Sequence, residues 1–174
     1  MSSNLEKALG FNLEAFNYLY VLCDYETLLK KNITLENFLE ILKKYDVKLL
    51  QYRDKVSDLE LQKQNLIFLK QNLNIPIIVN DKVELIDYAD GLHVGQDDVL
   101  KIDKDKKLAI KLLRKIVKNK LLGLSTHNEL EILEANNFEL DMIGLGAYKA
   151  TNTKDISNIL GEKLQYLAKM SKPP

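Results

Sequence analysis

Cysteine is nearly missing from this sequence. A single Cys23 among 174 residues excludes an internal disulfide. Neither sign of charge is in excess: 25 Lys and Arg stand against 25 Asp and Glu, a formal net charge of zero. That balance argues against a nonspecific nucleic-acid binder, which needs surplus positive charge to displace counterions. No apolar run approaches the roughly 20 residues that cross a bilayer. The start, Met1-Ser2-Ser3-Asn4, lacks the basic and apolar stretches of a secretory leader. Histidine is scarce too: His93 and His127 are the only two, and no tight spacing joins them into a transition-metal site. The remainder is ordinary globular material, 46% hydrophobic and 29% charged. The expectation is one soluble, cytoplasmic domain over residues 1–174 that binds neither membrane nor nucleic acid.

Strand-like and helix-like segments alternate. Tyr18–Cys23, Val47–Tyr52, Ile75–Val79, Gly91–Val94, Leu121–Leu124 and Met142–Leu145 read as strands from their apolar and β-branched content. Several are apolar throughout, as expected when both faces of a sheet are covered. Between them the apolar spacing becomes helical. Thr34 caps a stretch carrying Leu35, Phe38, Leu39 and Leu42. Ser57 introduces a helix to about Gln71 with Leu59, Leu66 and Leu69 among its apolar positions, and a short helical turn covers Val83–Tyr88. Lys106–Lys118 places Leu108, Leu112, Leu113, Ile116 and Val117 along one side. Helices at Asn128–Asn136 and Asp155–Met170 follow.

Six strand-then-helix units imply a parallel sheet, because parallel neighbours need a crossover and a helix supplies it. An open doubly wound sheet and a closed (β/α)8 TIM barrel both fit. An open sheet concentrates its ligand at one crevice, whereas a barrel gathers residues from every strand end around one mouth. Polar groups follow almost every strand here: Cys23-Asp24, Gln51 and Arg53, Asn80-Asp81, His93 with Gln96, Ser125 with His127, and Thr151 to Lys154. That distribution favours the barrel. Only about six of its eight units are visible, so the expectation is a barrel domain lacking its last two strands.

Several of these segments suit phosphate. Alternation along a strand puts Gln51, Arg53 and Lys55 on one side and Tyr52 and Asp54 on the other. An amide, a guanidinium and an ammonium on one face fit a phosphorylated ligand, and a solvated strand edge is the structural alternative, favoured on this segment alone. Asp81 and Asp98 come from successive strand ends, where two carboxylates could share Mg²⁺. A helix N-cap for Asp81 and a turn at Asp97-Asp98 are the structural alternatives. Gly144 and Gly146 permit close backbone approach to a ligand, and the hydroxyls of Thr151 and Thr153 with Lys154 again suit phosphate. Cys23, ending an apolar strand, reads as buried packing. Ser125 lacks the flanking glycines of a nucleophile elbow.

Taken together, these segments resemble the thiamine-phosphate synthase family. The resemblance rests on Gln51/Arg53/Lys55, Asn80-Asp81-Lys82, Gly91/His93/Gly95/Gln96/Asp98, Gly123/Ser125/His127, and Gly144/Gly146 with Thr151/Thr153/Lys154, in that order. It implies a (β/α)8 barrel and a transferase of thiamine biosynthesis. The implied reaction joins 4-amino-5-hydroxymethyl-2-methylpyrimidine diphosphate to a thiazole phosphate, with Mg²⁺, and releases diphosphate. By the same resemblance Gln51, Arg53, Lys55, Asn80, Ser125 and Lys154 would hold the pyrimidine diphosphate, with Gln96 and Gly146 also on the substrate. Asp81 and Asp98 would hold Mg²⁺, and Thr151 and Thr153 would lie near the thiazole phosphate. Arg53, Lys55, Ser125 and Lys154 would stabilise the leaving diphosphate electrostatically.

Two departures stand out: Lys82 replaces an arginine of the family pattern, and Ala147-Tyr148-Lys149-Ala150 replaces its proline- and aromatic-containing turn. The related thiazole tautomerase, an isomerase with a histidine acid/base matching His127, is the alternative reading. A non-catalytic phosphate-binding relative is another. The family also suggests a homodimer.

Overall fold

The structure, a computed structural model, describes residues 3–10, 12–13, 18–150 and 159–174. Helix α1 (Asn4–Leu9) leads, and six strands alternate with helices after it: β1 (Leu19–Asp24), α2 (Tyr25–Lys30), α3 (Leu35–Leu42), β2 (Val47–Arg53), α4 (Leu59–Asn72), β3 (Ile77–Asn80), a 3₁₀ helix at Val83–Tyr88, and β4 (Gly91–Val94). Then come α5 (Gln96–Ile102), α6 (Lys106–Val117), β5 (Leu121–Thr126), α7 (Glu129–Ala135), β6 (Met142–Leu145) and α8 (Lys163–Ala168). The strand order is β1-β2-β3-β4-β5-β6, with parallel pairing of β1 with β2, β2 with β3, and β5 with β6. The order never reverses. A doubly wound sheet requires a reversal, so the topology is that of the (β/α) barrel, six strands of it.

Two compact units divide the chain, residues 1–92 and 93–174. In the first, Leu49, Leu50, Ile77 and Ile78 of β2 and β3 are fully buried together with Leu66 and Leu69 of α4. The inward stripe of α4 is Gln62, Asn65, Leu66 and Leu69, while Leu59, expected inside, is 45% exposed at the edge of that stripe. The two polar members are satisfied: Asn65 Nδ2 donates to the Tyr52 hydroxyl at 2.9 Å and Gln62 Nε2 to the Ser57 carbonyl at 2.8 Å. Asp58, not Ser57, caps this helix through the Leu61 N–H. β1 departs from the expectation of strands covered on both faces, because Leu19, Tyr20 and Leu22 are exposed and only Cys23 and Asp24 are buried.

In the second unit, α6 buries Ala109, Ile110, Leu113 and Val117. Leu108, Leu112 and Ile116, expected on the same side, form a separate exposed stripe. Successive residues of a helix are turned by about 100°, so stripes one position apart face different ways. At the amino-terminal ends of β5 and β6, Arg114 ties the backbone together. Its guanidinium donates to Asp141 Oδ2 at 2.6 Å, to the Glu139 carbonyl at 2.9 Å and to the Lys120 carbonyl at 2.9 Å. Asp141 Oδ2 also takes the Leu122 N–H at 2.8 Å.

Of the helix expected over Asp155–Met170, residues 155–158 lie outside the described residues; residues 159–162 are not helical, and Gly161 takes a left-handed φ of 52° that breaks the helical path. The Leu160 N–H bonds instead to the Ala147 carbonyl at 2.8 Å. Leu160 and Leu167 still reach the core beside Ile132. Three short helices, α1, α2 and α5, escaped the apolar periodicity. Capping explains two of them: Ser3 and Glu6 form a reciprocal capping box before α1, and Asp24 caps α2.

Candidate active site at the carboxyl ends of the strands

In the first unit, register decides the neighbours. Asp24 of β1 lies opposite Arg53 of β2, and Arg53 Nη1 donates to Asp24 Oδ2. The other Asp24 oxygen accepts the Thr27 N–H at 3.0 Å and the Thr27 hydroxyl at 2.6 Å. Burial pushes the Asp24 carboxyl upward, but the Thr27 hydroxyl and N–H and the Arg53 guanidinium outweigh it, and the net shift is down. Gln51 Nε2 donates to the Tyr20 hydroxyl. Tyr52 and Asp54 turn the other way, as alternation requires. The Tyr52 hydroxyl donates to Asp54 Oδ2 at 2.9 Å, and Asp54 Oδ1 accepts the N–H groups of Val56 and Ser57 at 3.0 Å each.

Asn80 ends β3, and the next residue is strained. Asp81 has a φ of 61°, and the Lys82 N–H bonds back to the Asn80 carbonyl at 2.8 Å. This is a γ-turn with a left-handed centre, a rare conformation for a residue with a side chain. Asp81 does not cap the 3₁₀ helix that follows, which has no side-chain cap. Its carboxylate lies 3.8 Å from Lys55 Nζ instead. Lys55 is half exposed, so this pair adds little stability and leaves the ammonium adaptable. Cys23 is fully buried, and burial, followed by the charges of Asp24 and Asp54, pushes its thiol up to about 12. It is packing, not a nucleophile.

In the second unit, β5 and β6 build around the imidazole of His93. His93 is 5% exposed, and its Nε2 lies 3.0 Å from Ser125 Oγ. A methyl group on Gly123 would stand 2.5 Å from His93 Nδ1, and one on Gly144 would stand 3.1 Å from His93 Cε1. Both glycines are therefore the floor on which the ring lies. Gln96, at the start of α5, donates from Nε2 to the Ser125 carbonyl at 2.7 Å, and its buried Oε1 has no hydrogen-bond partner among the described residues. A buried acceptor left unmatched is where a ligand donor would gain most. Asp97 and Asp98 occupy the first turn of α5 and not an isolated turn. Asp98 Oδ1 faces Lys101 Nζ at 2.8 Å, and its Oδ2 is 3.1 Å from where a side chain on Gly95 would begin.

His127 pairs with Glu131 Oε2 at 2.9 Å through Nδ1, and the same oxygen accepts the His127 N–H at 2.8 Å. A carboxylate acceptor fixes the ring proton on Nδ1. Gly146 bonds to the Thr126 carbonyl at 3.1 Å, and a side chain there would meet nothing within 4 Å. Thr151, Thr153 and Lys154 lie outside the described residues.

Sequence reasoning placed Gln51, Arg53, Lys55, Asn80, Asp81, Gln96 and Ser125 at strand ends or just beyond, where they are found. It missed the partners: Tyr20 for Gln51, Asp24 for Arg53, Glu131 for His127 and Ser125 for His93. Gly123 and Gly144 were the available signal for the last of these, since small residues on adjacent strands leave room for one ring.

Residues 19–174 match the family model described as thiamine monophosphate synthase. The chain belongs to the thiamine monophosphate synthase family. It is 37% identical to the thiamine-phosphate synthase of Chloroflexus aurantiacus over 60% of this chain and 47% of that one. It is 33% identical to the thiamine-phosphate synthase of Persephonella marina over 72% of this chain and 59% of that one. It is 36% identical to thiamine-phosphate synthase 1 of Streptococcus pneumoniae over 79% of this chain and 64% of that one. The chain thus spans about half to two thirds of the length of these curated relatives. A solved structure, the thiamine phosphate pyrophosphorylase of Pyrococcus furiosus, shares the fold with a TM-score of 0.68 at 23% identity, over 90% of this chain and 72% of that one. Among the described residues of this family member, no helix is long and apolar enough to cross a membrane.

Proposed function

We propose that this member of the thiamine monophosphate synthase family is a thiamine-phosphate synthase. Its reaction joins the hydroxymethylpyrimidine diphosphate to the thiazole phosphate and releases diphosphate. The observation that carries the reading is the placement of Gln51, Arg53, Asn80, Asp81, His93 and Ser125 at or beside the carboxyl ends of β2 to β5, the end at which barrel enzymes work. Arg53 and Lys55 neutralise the departing diphosphate, and the Ser125 hydroxyl donates to it. Gln51 and Asn80 hold the pyrimidine diphosphate by their amides, and Gln96 offers the substrate its unmatched carbonyl oxygen. The backbone at Gly146 borders the substrate; of the residues outside the described ones, Lys154 would serve the diphosphate and Thr151 and Thr153 the thiazole phosphate. The work is positioning and charge stabilisation, with the protein forming no covalent bond.

Asp81 and Asp98 are the residues assigned to Mg²⁺. The donor type fits, since both side chains offer carboxylate oxygens; Asp81 faces Lys55 and Asp98 faces Lys101, ammonium groups the ion would have to displace, and no group of three His, Cys, Asp or Glu gathers among the described residues. Mg²⁺ commonly takes one or two carboxylates and completes its shell with phosphate oxygens and water. When bound, the ion supplies positive charge to the diphosphate oxygens. A cytoplasmic enzyme whose partners are small phosphorylated molecules is the reading that goes with this reaction.

The test is direct. The protein is incubated with both substrates and Mg²⁺, and thiamine phosphate and diphosphate are measured. Equimolar appearance of both, abolished by a chelator, is expected. No product above the protein-free control would refute the reading. Arg53→Ala and Asp81→Ala should each lower kcat/KM by at least about a hundredfold.

A further inference from the structure

His93 is buried, tied to Ser125 and set on a floor of two glycines, yet nothing in the proposed chemistry uses it. A hydroxyl facing an imidazole nitrogen has two states. If Nε2 is bare, the Ser125 O–H donates to it and only the oxygen lone pairs remain for a ligand. If Nε2 carries the proton, it donates to Ser125 Oγ and the hydroxyl hydrogen is free to turn outward. An anionic ligand needs the second state, because phosphate oxygens accept and do not donate. The ring's seat sets the direction of Nε2. Gly123 and Gly144 fit against it at distances that a single methyl group would close to 2.5 Å and 3.1 Å, and this seat aims Nε2 at Ser125 Oγ, 3.0 Å away. Gln96 holds the backbone of the same serine through its carbonyl at 2.7 Å, so both the main chain and the side chain of Ser125 are fixed.

We propose that His93 is a positioning residue that donates from Nε2 to Ser125 and thereby turns the serine hydroxyl hydrogen toward bound diphosphate. The assignment rests on the diphosphate-handling role given to Ser125 above. It predicts a specific pattern among variants. His93→Gln keeps an amide N–H near the place of Nε2, whereas the shorter side chain of His93→Asn ends near the place of Nδ1 and cannot reach the serine.

The experiment measures binding of inorganic diphosphate, with Mg²⁺ present, by titration calorimetry. His93→Asn should weaken binding about tenfold, the scale of one hydrogen bond to a charged group, and His93→Gln should stay within about threefold of the unaltered protein. Ser125→Ala should lose about as much as His93→Asn, and the double variant no more than either alone. A role confined to filling space would not separate Asn from Gln in this way or vanish once the serine hydroxyl is gone. Nitrogen-15 NMR of the unaltered protein should show His93 protonated on Nε2, its signals separated from those of the only other histidine by His127→Gln.

A bare Nε2, a further tenfold loss from His93→Asn on the Ser125→Ala background, or no diphosphate binding by the unaltered protein would each overturn the proposal. Diphosphate binding with the expected variant pattern but no coupling of the two substrates would sustain it while refuting the synthase reading.

Discussion

Replacing Asp24 by alanine should destabilise the first unit far more than an ordinary surface change. The carboxylate does two jobs at once: it receives Arg53 Nη1, and it caps α2 through the Thr27 N–H and hydroxyl. Both partners of the ion pair are largely inside, with side chains 12% and 9% exposed. Removing one member of such a pair takes the counter-charge from the other inside the protein, which costs about 3 kcal/mol at the lower end of the usual range. Loss of the cap adds about 1 kcal/mol. The expected total is about 4 kcal/mol, a large fraction of the stability of an ordinary domain and worth roughly 10 °C in Tm at this chain length. Urea unfolding followed by circular dichroism measures it. A cycle with Arg53→Met isolates the pair: the double variant should be about 2 kcal/mol more stable than the sum of the single losses implies. Additive losses, or a total below about 1 kcal/mol, would show that the two charges are individually solvated and that the pairing argument is wrong.

Three further outcomes follow from the same geometry. The Asp24 carboxyl is held below its ordinary value, so its contribution to stability is present above the unfolded carboxyl pKa, about 3.9, and is lost as pH falls through the lower folded value. Asp24→Asn should therefore unfold with a shallower pH dependence below about pH 4 than the unaltered protein, read from urea midpoints across the acid range. Arg114→Ala should cost about 3 kcal/mol, because it leaves Asp141 buried without its guanidinium and strips the Lys120 and Glu139 carbonyls of their donor. Chemical denaturation of the variant checks it. Cys23, buried with its thiol pushed up to about 12, should resist a disulfide reagent at pH 8 in the native protein and react at once in urea; rapid native labelling would contradict its placement.

Much of the architecture was legible in the chain. The strands at Gly91–Val94 and Met142–Leu145, the Thr34 cap and the Val83–Tyr88 turn are found where apolar content and turn chemistry put them. The faces of the helices were not. α6 carries apolar residues at 108, 109, 110, 112, 113, 116 and 117, and two adjacent stripes of that sequence qualify equally for burial. α4 hides Gln62 and Asn65 because the Tyr52 hydroxyl and the Ser57 carbonyl receive them, and hydropathy cannot register a partner located elsewhere in the chain.

The same division runs through the candidate site. Local spacing along one strand already separates Gln51, Arg53 and Lys55 from Tyr52 and Asp54, since the side-chain period of a strand is two and owes nothing to the rest of the protein. What each of those groups meets is a matter of register: Arg53 finds Asp24 because β1 and β2 align them, and His93 finds Ser125 because two glycines on β5 and β6 make room for its ring. Composition and periodicity thus determined which residues stand at the strand ends. Only the tertiary structure decided their hydrogen-bond partners, because contacts between distant segments depend on alignment and vacant volume, which no short window of sequence contains.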